Sequence, residues 1–269
     1  IWYILYSFKS VKQFFFRGIA FTFYSFLAAG MAAIMLIPAY LGIKQTASGE
    51  SMSLPEHSFL TNAADLLNRQ FAMWTPITHD NFDGNANLYI GIFTVLAVVL
   101  YLLNSKIKIS EKIKKVLLIG FFYLSFSEMI LNFIWHGFHD QYGIPNRFSF
   151  LFGFVLLYML WEVFENLEGT KGWHIALACM AGVGLLVYAR AKGTNPLDDE
   201  VYGVAGMLFI LYGMLLFLYT LSRKRKGWYK NAFCIVALIE IVATAFMGFN
   251  ENGQIAVPKF FYGVNDMEK

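Results

Sequence analysis

Runs of about twenty apolar residues bounded by charge recur along this chain, and that is the length an α-helix needs to cross a bilayer. Seven full runs are present, and residues 1–8 supply part of an eighth. A bilayer offers no water to unpaired backbone groups, so runs of this length favour membrane-spanning helices. The seven predicted spans cover residues 18–43, 87–104, 116–135, 148–165, 173–190, 201–221 and 231–249.

The composition supports a membrane protein. Hydrophobic residues make up 58% of the chain and charged residues only 14%, whereas a soluble domain carries roughly a quarter charged residues. A water-soluble enzyme and a disordered chain are therefore both excluded. The predicted fold class is an all-α integral membrane helix bundle over residues 1–249, with seven full transmembrane helices, a partial N-terminal one and an extracytoplasmic tail at 250–269.

The basic residues predict the orientation of the bundle. Of the 21 Lys and Arg residues, 14 lie in one set of alternate connections, which the positive-inside rule assigns to the cytoplasm. The loop 44–86 is then outside, as is the tail. Because the basic residues fall in short clusters between spans, we expect membrane lipids and no nucleic acid as partners. No glycine-rich phosphate loop is present, so chemistry is expected on the outer face or within the bilayer.

A short amphipathic helix is predicted within the loop 44–86. Its apolar residues recur at near-helical spacing, and Asp65, Asn68 and Arg69 between them are expected to face water. The helix would lie on the outer interface, either as a packing lid over the bundle or as part of a substrate site. The apolar set comprises Phe59, Ala63, Leu66, Leu67, Phe71 and Trp74.

The predicted span 116–135 carries the most informative polar pattern. At 100° per residue, several polar side chains share about a quarter of the circumference if the helix continues beyond residue 135. Glu128 would lie roughly 10 Å below the outer boundary, where a carboxylate must be protonated, paired or hydrated. We expect an outward-opening cavity or, alternatively, hydrogen bonds between helices. The polar set is Ser125, Glu128, Asn132, His136 and His139, and Asp140 follows it.

The start of the next span predicts an anion site. Asn146 is a reasonable N-cap after Pro145, which would place Arg147 at the helix N-terminus. A cation is disfavoured there unless an anion also binds. A lipid phosphate is the natural candidate, and an arginine that snorkels to ordinary headgroups is the alternative.

Two other groups of polar residues stand out. His79, Asp80 and Asp83 precede the span 87–104, where they could act as a base, a clamp on sugar hydroxyls, a weak metal site or a solvated turn. Glu240 is a second intramembrane carboxylate with no evident partner. No cofactor motif or zinc-ligand spacing is present, and a divalent metal stays open as an alternative.

Several short strings resemble the YfhO family of bacterial polytopic membrane proteins. They are Asn81-Phe82-Asp83-Gly84, Asn87-Leu88-Tyr89-Ile90-Gly91, Trp135-His136-Gly137-Phe138 and Pro145-Asn146-Arg147-Phe148-Ser149-Phe150.

The resemblance implies a GT-C-type glycosyltransferase that moves a sugar from a polyprenyl-phosphate carrier to a cell-envelope polymer such as lipoteichoic acid. It implies that Arg147 and His136 contact the lipid phosphate, and that Asp80 and Asp83 order the outer loop or the sugar. Enzymes of this type usually carry their catalytic acidic residue in the first outer loop, near the N-terminus, but no Asp or Glu precedes Glu50 here. We therefore expect the chain to be a fragment whose catalytic base lies upstream and which is inactive alone. The alternative function is a proton-coupled transporter or lipid flippase that uses Glu128 and Glu240.

Overall fold

A computed structural model describes residues 7–45, 54–77, 86–138, 146–222 and 226–251 of the chain. Within these ranges the fold is all-helical, which confirms the predicted class at that level. The ten described α-helices are α1 (Val11–Met31), α2 (Ala33–Ile43), α3 (Ala63–Phe71), α4 (Ile92–Leu103), α5 (Ile109–Ser127), α6 (Met129–Trp135), α7 (Ser149–Glu165), α8 (Gly172–Lys192), α9 (Asp199–Leu221) and α10 (Lys226–Glu251).

Four of the described helices are long and apolar enough to cross a membrane, namely α1, α8, α9 and α10. Helices α2 and α4 are apolar but shorter. Among the described residues, the structure therefore contains four candidate spans, whereas the sequence predicted seven. The predicted run 18–43 is interrupted at Ala32 between α1 and α2, and neither of these helices contains a buried residue.

Helices α5 and α7 pack side by side in opposite directions. The Phe126 and Phe148 rings stack with their centroids 5.2 Å apart at one end. At the other end, the Lys115 Nζ lies 3.6 Å from Glu162 Oε2. We refer to the two ends of this helix pair as the Phe148 end and the Lys115 end.

Helix α4 lies in the middle of the described bundle, in contact with α7, α8 and α9. Its sequence is almost entirely apolar, and eight of its twelve residues are buried. The Phe93 ring packs against Tyr212 and Phe233, with ring centroids 5.3 and 4.2 Å away. These aromatic contacts tie α4 to α9 and α10.

Helix α3 lies within the loop predicted to hold a short helix, but its polar face is not turned to water. Asp65 and Asn68 are 3% and 1% exposed. The Asp65 carboxylate accepts hydrogen bonds from the Thr194 N–H at 2.8 Å and from the Asn195 N–H at 3.1 Å. Arg69 is half-buried and donates to a backbone carbonyl. The prediction that Asp65 and Asn68 face water was wrong, because α3 packs these two side chains on the end of α8.

Candidate functional site

The predicted span 116–135 is broken at Glu128. The backbone of this residue is extended, with φ −94° and ψ 128°, and it separates α5 from α6. The Glu128 carboxylate accepts the N–H groups of Ile130 at 3.1 Å and Leu131 at 2.8 Å. A carboxylate in this position caps the first turn of α6 and complements the positive end of its dipole.

A segment before α3 pairs with the break. Phe59 and Glu128 form an antiparallel bridge. The Leu60 N–H donates to the Ser127 carbonyl at 2.7 Å, and the Met129 N–H donates to the Ser58 carbonyl at 3.0 Å. These bonds satisfy backbone groups that the break would otherwise leave unpaired.

Helix α6 folds back beside α5. Phe121 and Trp135 are fourteen residues apart, which in one straight helix means a separation of about 21 Å along the axis. Their ring centroids are only 6.4 Å apart. The predicted continuous polar face was therefore wrong, and the predicted depth of Glu128 loses the straight helix on which it was based. The helix also ends at Trp135, before the position of His139.

A buried amide pair joins α6 to the start of α7. The Asn132 Nδ2 donates to the Oδ1 of Asn146, and these residues are 3% and 0% exposed. Asn146 has a positive φ of 54°, a conformation that asparagine tolerates better than most residues. Asn146 is not the predicted N-cap, because its side chain is held by Asn132 and α7 begins only at Ser149.

His136 lies beside Phe148, and Arg147 is the residue before Phe148 in the sequence. The His136 Nδ1 lies 2.9 Å from the Asn132 carbonyl, and its ring centroid lies 6.2 Å from that of Phe148. Arg147 is exposed and directly precedes Phe148. The Trp135 ring stacks on Phe148 at 4.6 Å with only 10° between the planes. The junction therefore brings an imidazole to one aromatic stack, with an exposed arginine next to that stack in the sequence.

Glu128, Asn132, His136 and Arg147 thus belong to one junction between α5, α6 and α7. The other predicted site residues, His79, Asp80, Asp83, His139 and Asp140, lie outside the described residues.

The structure reveals a second polar cluster around Glu240, whose partners the sequence did not indicate. Its carboxylate accepts the hydroxyls of Tyr89 and Tyr212, and the Ile92 N–H donates to it at 2.7 Å. Gly91 has a φ of +97°, which aims the N-terminus of α4 at this carboxylate. The sequence offered two signals: the carboxylate of Glu240 within an otherwise apolar run, and Tyr89 and Tyr212 in two other apolar runs.

The Glu240 cluster satisfies both oxygens of a buried carboxylate. Three donors surround these two oxygens, and Glu240 is 7% exposed. This cluster links α10 to α4 and α9.

An exposed ion pair lies near the Lys115 end, in contrast to the buried Glu240 cluster. The Lys106 Nζ lies 2.7 Å from Glu168 Oε2, in the connections that flank this end. The hydrogen bond from Lys106, followed by the charge of the same group, lowers the pKa of Glu168. In the part of the chain that the structure describes, no three His, Cys, Asp or Glu side chains cluster as a metal site would require.

Comparison with known proteins gives one family. No curated protein and no solved structure gives a significant match. The profile of the family described as "Bacterial membrane protein YfhO" matches residues 1–261, which is nearly the whole chain. The chain therefore belongs to the YfhO family of bacterial membrane proteins.

Proposed function

We propose that this chain is part of a GT-C-type glycosyltransferase that transfers a sugar from a polyprenyl-phosphate carrier to a cell-envelope polymer such as lipoteichoic acid. The reaction takes place on the outer face of the membrane. An acceptor hydroxyl oxygen attacks the anomeric carbon, and the bond from that carbon to the phosphate oxygen breaks. The polyprenyl phosphate leaves with the electron pair, and a base takes the hydroxyl proton.

The observation that carries this proposal is that the His136 ring lies against Phe148 and that the exposed Arg147 directly precedes Phe148 in the sequence. A guanidinium binds phosphate oxygens with two parallel hydrogen bonds, and an imidazole adds a second charged donor when it is protonated. Such groups stabilise the charge that gathers on a departing phosphate. The aromatic stack beside them provides an apolar floor for the carrier.

Glu128 and Asn132 have a positioning role in this proposal. Glu128 caps α6 and so fixes the direction of the helix that bears His136. Asn132 joins that helix to Asn146, next to Arg147. As the resemblance implies, Asp80 and Asp83 would order the outer loop or the sugar, and His79, His139 and Asp140 stay candidate substrate-binding residues.

The test is sugar transfer by the full-length protein carrying Arg147→Ala, with Arg190→Ala as a matched control. Arg190 is another exposed arginine, near the end of α8, and its Nη2 lies 2.8 Å from Oδ1 of Asp199. We expect Arg147→Ala to lower kcat by about 100-fold, the typical effect of losing one donor to a developing negative charge. Arg190→Ala should leave transfer within about twofold of the wild type, since exposed ion pairs contribute little.

Arg147→Lys refines the same test. Lysine keeps the charge but loses the bidentate geometry, so transfer should fall between the two other values. Wild-type transfer by Arg147→Ala in a protein that is folded and present at normal levels would contradict the proposed phosphate role.

A proton-coupled transporter or lipid flippase is the second candidate, and the break at Glu128 is the observation in its favour. Discontinuous helices often form the binding sites of transporters. Against it, the carboxylates of Glu128 and Glu240 are both engaged as hydrogen-bond acceptors within the fold. Proton-coupled uptake into vesicles that is lost in Glu128→Gln would favour the transporter.

A further inference from the structure

Three connections between helices converge at the Lys115 end of the bundle. The buried Asn104 holds two of them together, because its side-chain amide donates to the Asn166 carbonyl at 2.8 Å and accepts from the Lys106 N–H at 2.9 Å. The third connection leads into α10, where Lys230 lines a small crevice with residues of α7 and of the turn that follows it. The three connections therefore form one continuous surface.

Lysines from two of these connections meet around Glu168. The Lys106 Nζ lies 2.7 Å from Glu168 Oε2, and the Lys226 Nζ lies 5.4 Å from the centroid of the Tyr219 ring. The hydrogen bond and the charge of Lys106 lower the pKa of Glu168, and the charges of Lys226 and Lys230 lower it further. These lysines are therefore close enough to act on the same carboxylate.

Positive charge dominates this end of the bundle. Two of its glutamates are paired with lysines, with Lys114 Nζ at 2.7 Å from Glu111 and Lys115 Nζ at 3.6 Å from Glu162. Outside these pairs, the described residues of 104–115, 162–174 and 219–230 carry six lysines but only two glutamates, Glu165 and Glu168. We call the six the lysine surface: Lys106, Lys108, Lys112, Lys171, Lys226 and Lys230.

The lysine surface lies where candidate membrane spans begin and end. Helix α8 begins at Gly172, α9 ends at Leu221 and α10 begins at Lys226, and all three are long and apolar enough to cross a membrane. Trp173 and Trp228, in the first turns of α8 and α10, are exposed, and tryptophan is enriched at the depth of lipid headgroups. The lysines are thus level with the phosphates of one leaflet, which the positive-inside rule assigns to the cytoplasm.

We propose that the lysine surface binds the headgroup of an anionic phospholipid. A lipid phosphate supplies the negative charge that the six lysines lack, and it is already present at their depth. The exposed pair of Lys106 and Glu168 is no obstacle, because such pairs contribute little and Lys106 can exchange its partner for a phosphate. This inference is independent of the proposed sugar transfer, since His136 and Phe148 lie at the opposite end of α5 and α7.

Binding of phosphatidylglycerol to the purified protein in detergent, measured as a Kd by native mass spectrometry, tests this inference. We expect the double variant Lys226→Gln/Lys230→Gln to bind about tenfold or more weakly, because each lysine near an anionic headgroup contributes about fivefold. The matched control is Lys44→Gln/Lys192→Gln, which removes two exposed lysines at the ends of α2 and α8. The control should bind within about twofold of the wild type, since charges beyond the screening length have little effect.

Glu168→Gln should change the affinity in the opposite direction. It removes the carboxylate that competes with the phosphate for Lys106, so binding should tighten by about threefold. Glu56→Gln is the control, because Glu56 is exposed and lies two residues before Ser58, which pairs with the break at Glu128. A gain in affinity cannot arise from partial unfolding, so this variant keeps the test valid if the lysine variants are unstable.

Two results would overturn the inference. Phosphatidylcholine, which has no net charge, should bind about tenfold or more weakly than phosphatidylglycerol, and equal affinities would show that the headgroup charge is not recognised. An unchanged Kd for phosphatidylglycerol in Lys226→Gln/Lys230→Gln would show that the anionic lipid binds elsewhere. Sugar transfer does not enter either comparison, so the proposed function and the lysine surface are tested separately.

Discussion

The Asn132 side chain in α6 donates a hydrogen bond to the Asn146 side chain before α7, and both residues are almost wholly buried. This amide pair connects the segment that carries His136 to the segment that carries Arg147. The backbone carbonyl of Asn132 also lies 2.9 Å from the His136 Nδ1. A single buried contact thus sets the relation between the two proposed phosphate ligands.

Replacement of Asn146 separates two contributions to this junction. Asn146→Gly removes the hydrogen bond between the two side-chain amides and should lower the free energy of unfolding by about 1 kcal/mol. Asn146→Ala also forces alanine to adopt a φ of 54°, so it should cost about 1 kcal/mol more than glycine. Thermal unfolding of both variants in detergent measures the difference. An alanine variant as stable as the glycine variant would contradict this account of the turn.

Glu240 should contribute more to stability than any lipid-facing residue of α10. Glu240→Ala leaves the hydroxyls of Tyr89 and Tyr212 and the Ile92 N–H without their shared acceptor. Each buried donor left unpaired costs about 1–3 kcal/mol. We expect a loss of about 3 kcal/mol, because the two hydroxyls can turn toward other acceptors.

Leu238→Ala is the control for Glu240, since Leu238 lies on the same helix and is 61% exposed. Its effect on unfolding should be small because it makes little contact within the bundle. Glu240→Gln keeps one acceptor oxygen and should lie between the two. A Glu240→Ala protein as stable as Leu238→Ala would show that the cluster does not hold α10 in place.

The long apolar runs predicted their helices well. The predicted runs 173–190, 201–221 and 231–249 lie within α8, α9 and α10, because mostly apolar sequence of this length leaves few alternatives in a membrane. The run 116–135 has the same appearance in the sequence but breaks at Glu128. Periodicity cannot detect this break, because it depends on pairing with Phe59, nearly seventy residues earlier.

The candidate site was predictable in part. The polar residues before and after the junction were evident, but their arrangement around Phe148 depends on the reversal of α6. Asp65 shows why burial was misjudged, since its carboxylate is satisfied by Thr194 and Asn195. A helical wheel identifies a polar face, but it does not show whether water or another polar segment covers that face.

Acid should weaken the contact between Lys106 and Glu168. Because the pKa of Glu168 is lowered in the fold, the pair stabilises the protein above the ordinary glutamate pKa of about 4.3. This stabilisation is lost as the pH falls through the lowered value. The Tm of the wild type should exceed that of Glu168→Gln near neutral pH, and the difference should vanish in acid and shrink at high salt. Glu165→Gln, at another exposed carboxylate, controls for the loss of charge alone.

Gly193, directly after α8, should be intolerant of a side chain, whereas Gly184 within α8 should tolerate one. A Cβ at Gly193 would lie 2.3 Å from the Asn68 Nδ2 and 2.7 Å from the Ala189 carbonyl oxygen. The Asn68 amide that it would displace donates to that same carbonyl at 3.1 Å. Gly193→Ala must therefore push α3 away from α8 and break the buried contacts of Asn68.

We expect Gly193→Ala to lower the free energy of unfolding by about 2 kcal/mol, as overpacking of a close contact typically does. A Cβ at Gly184 meets nothing within 4 Å, and alanine is the better helix former by about 1 kcal/mol. Gly184→Ala should therefore be neutral or stabilising in the same thermal unfolding assay. Equal stability of the two variants would mean that α3 is not held against α8 as closely as the distances around Gly193 require.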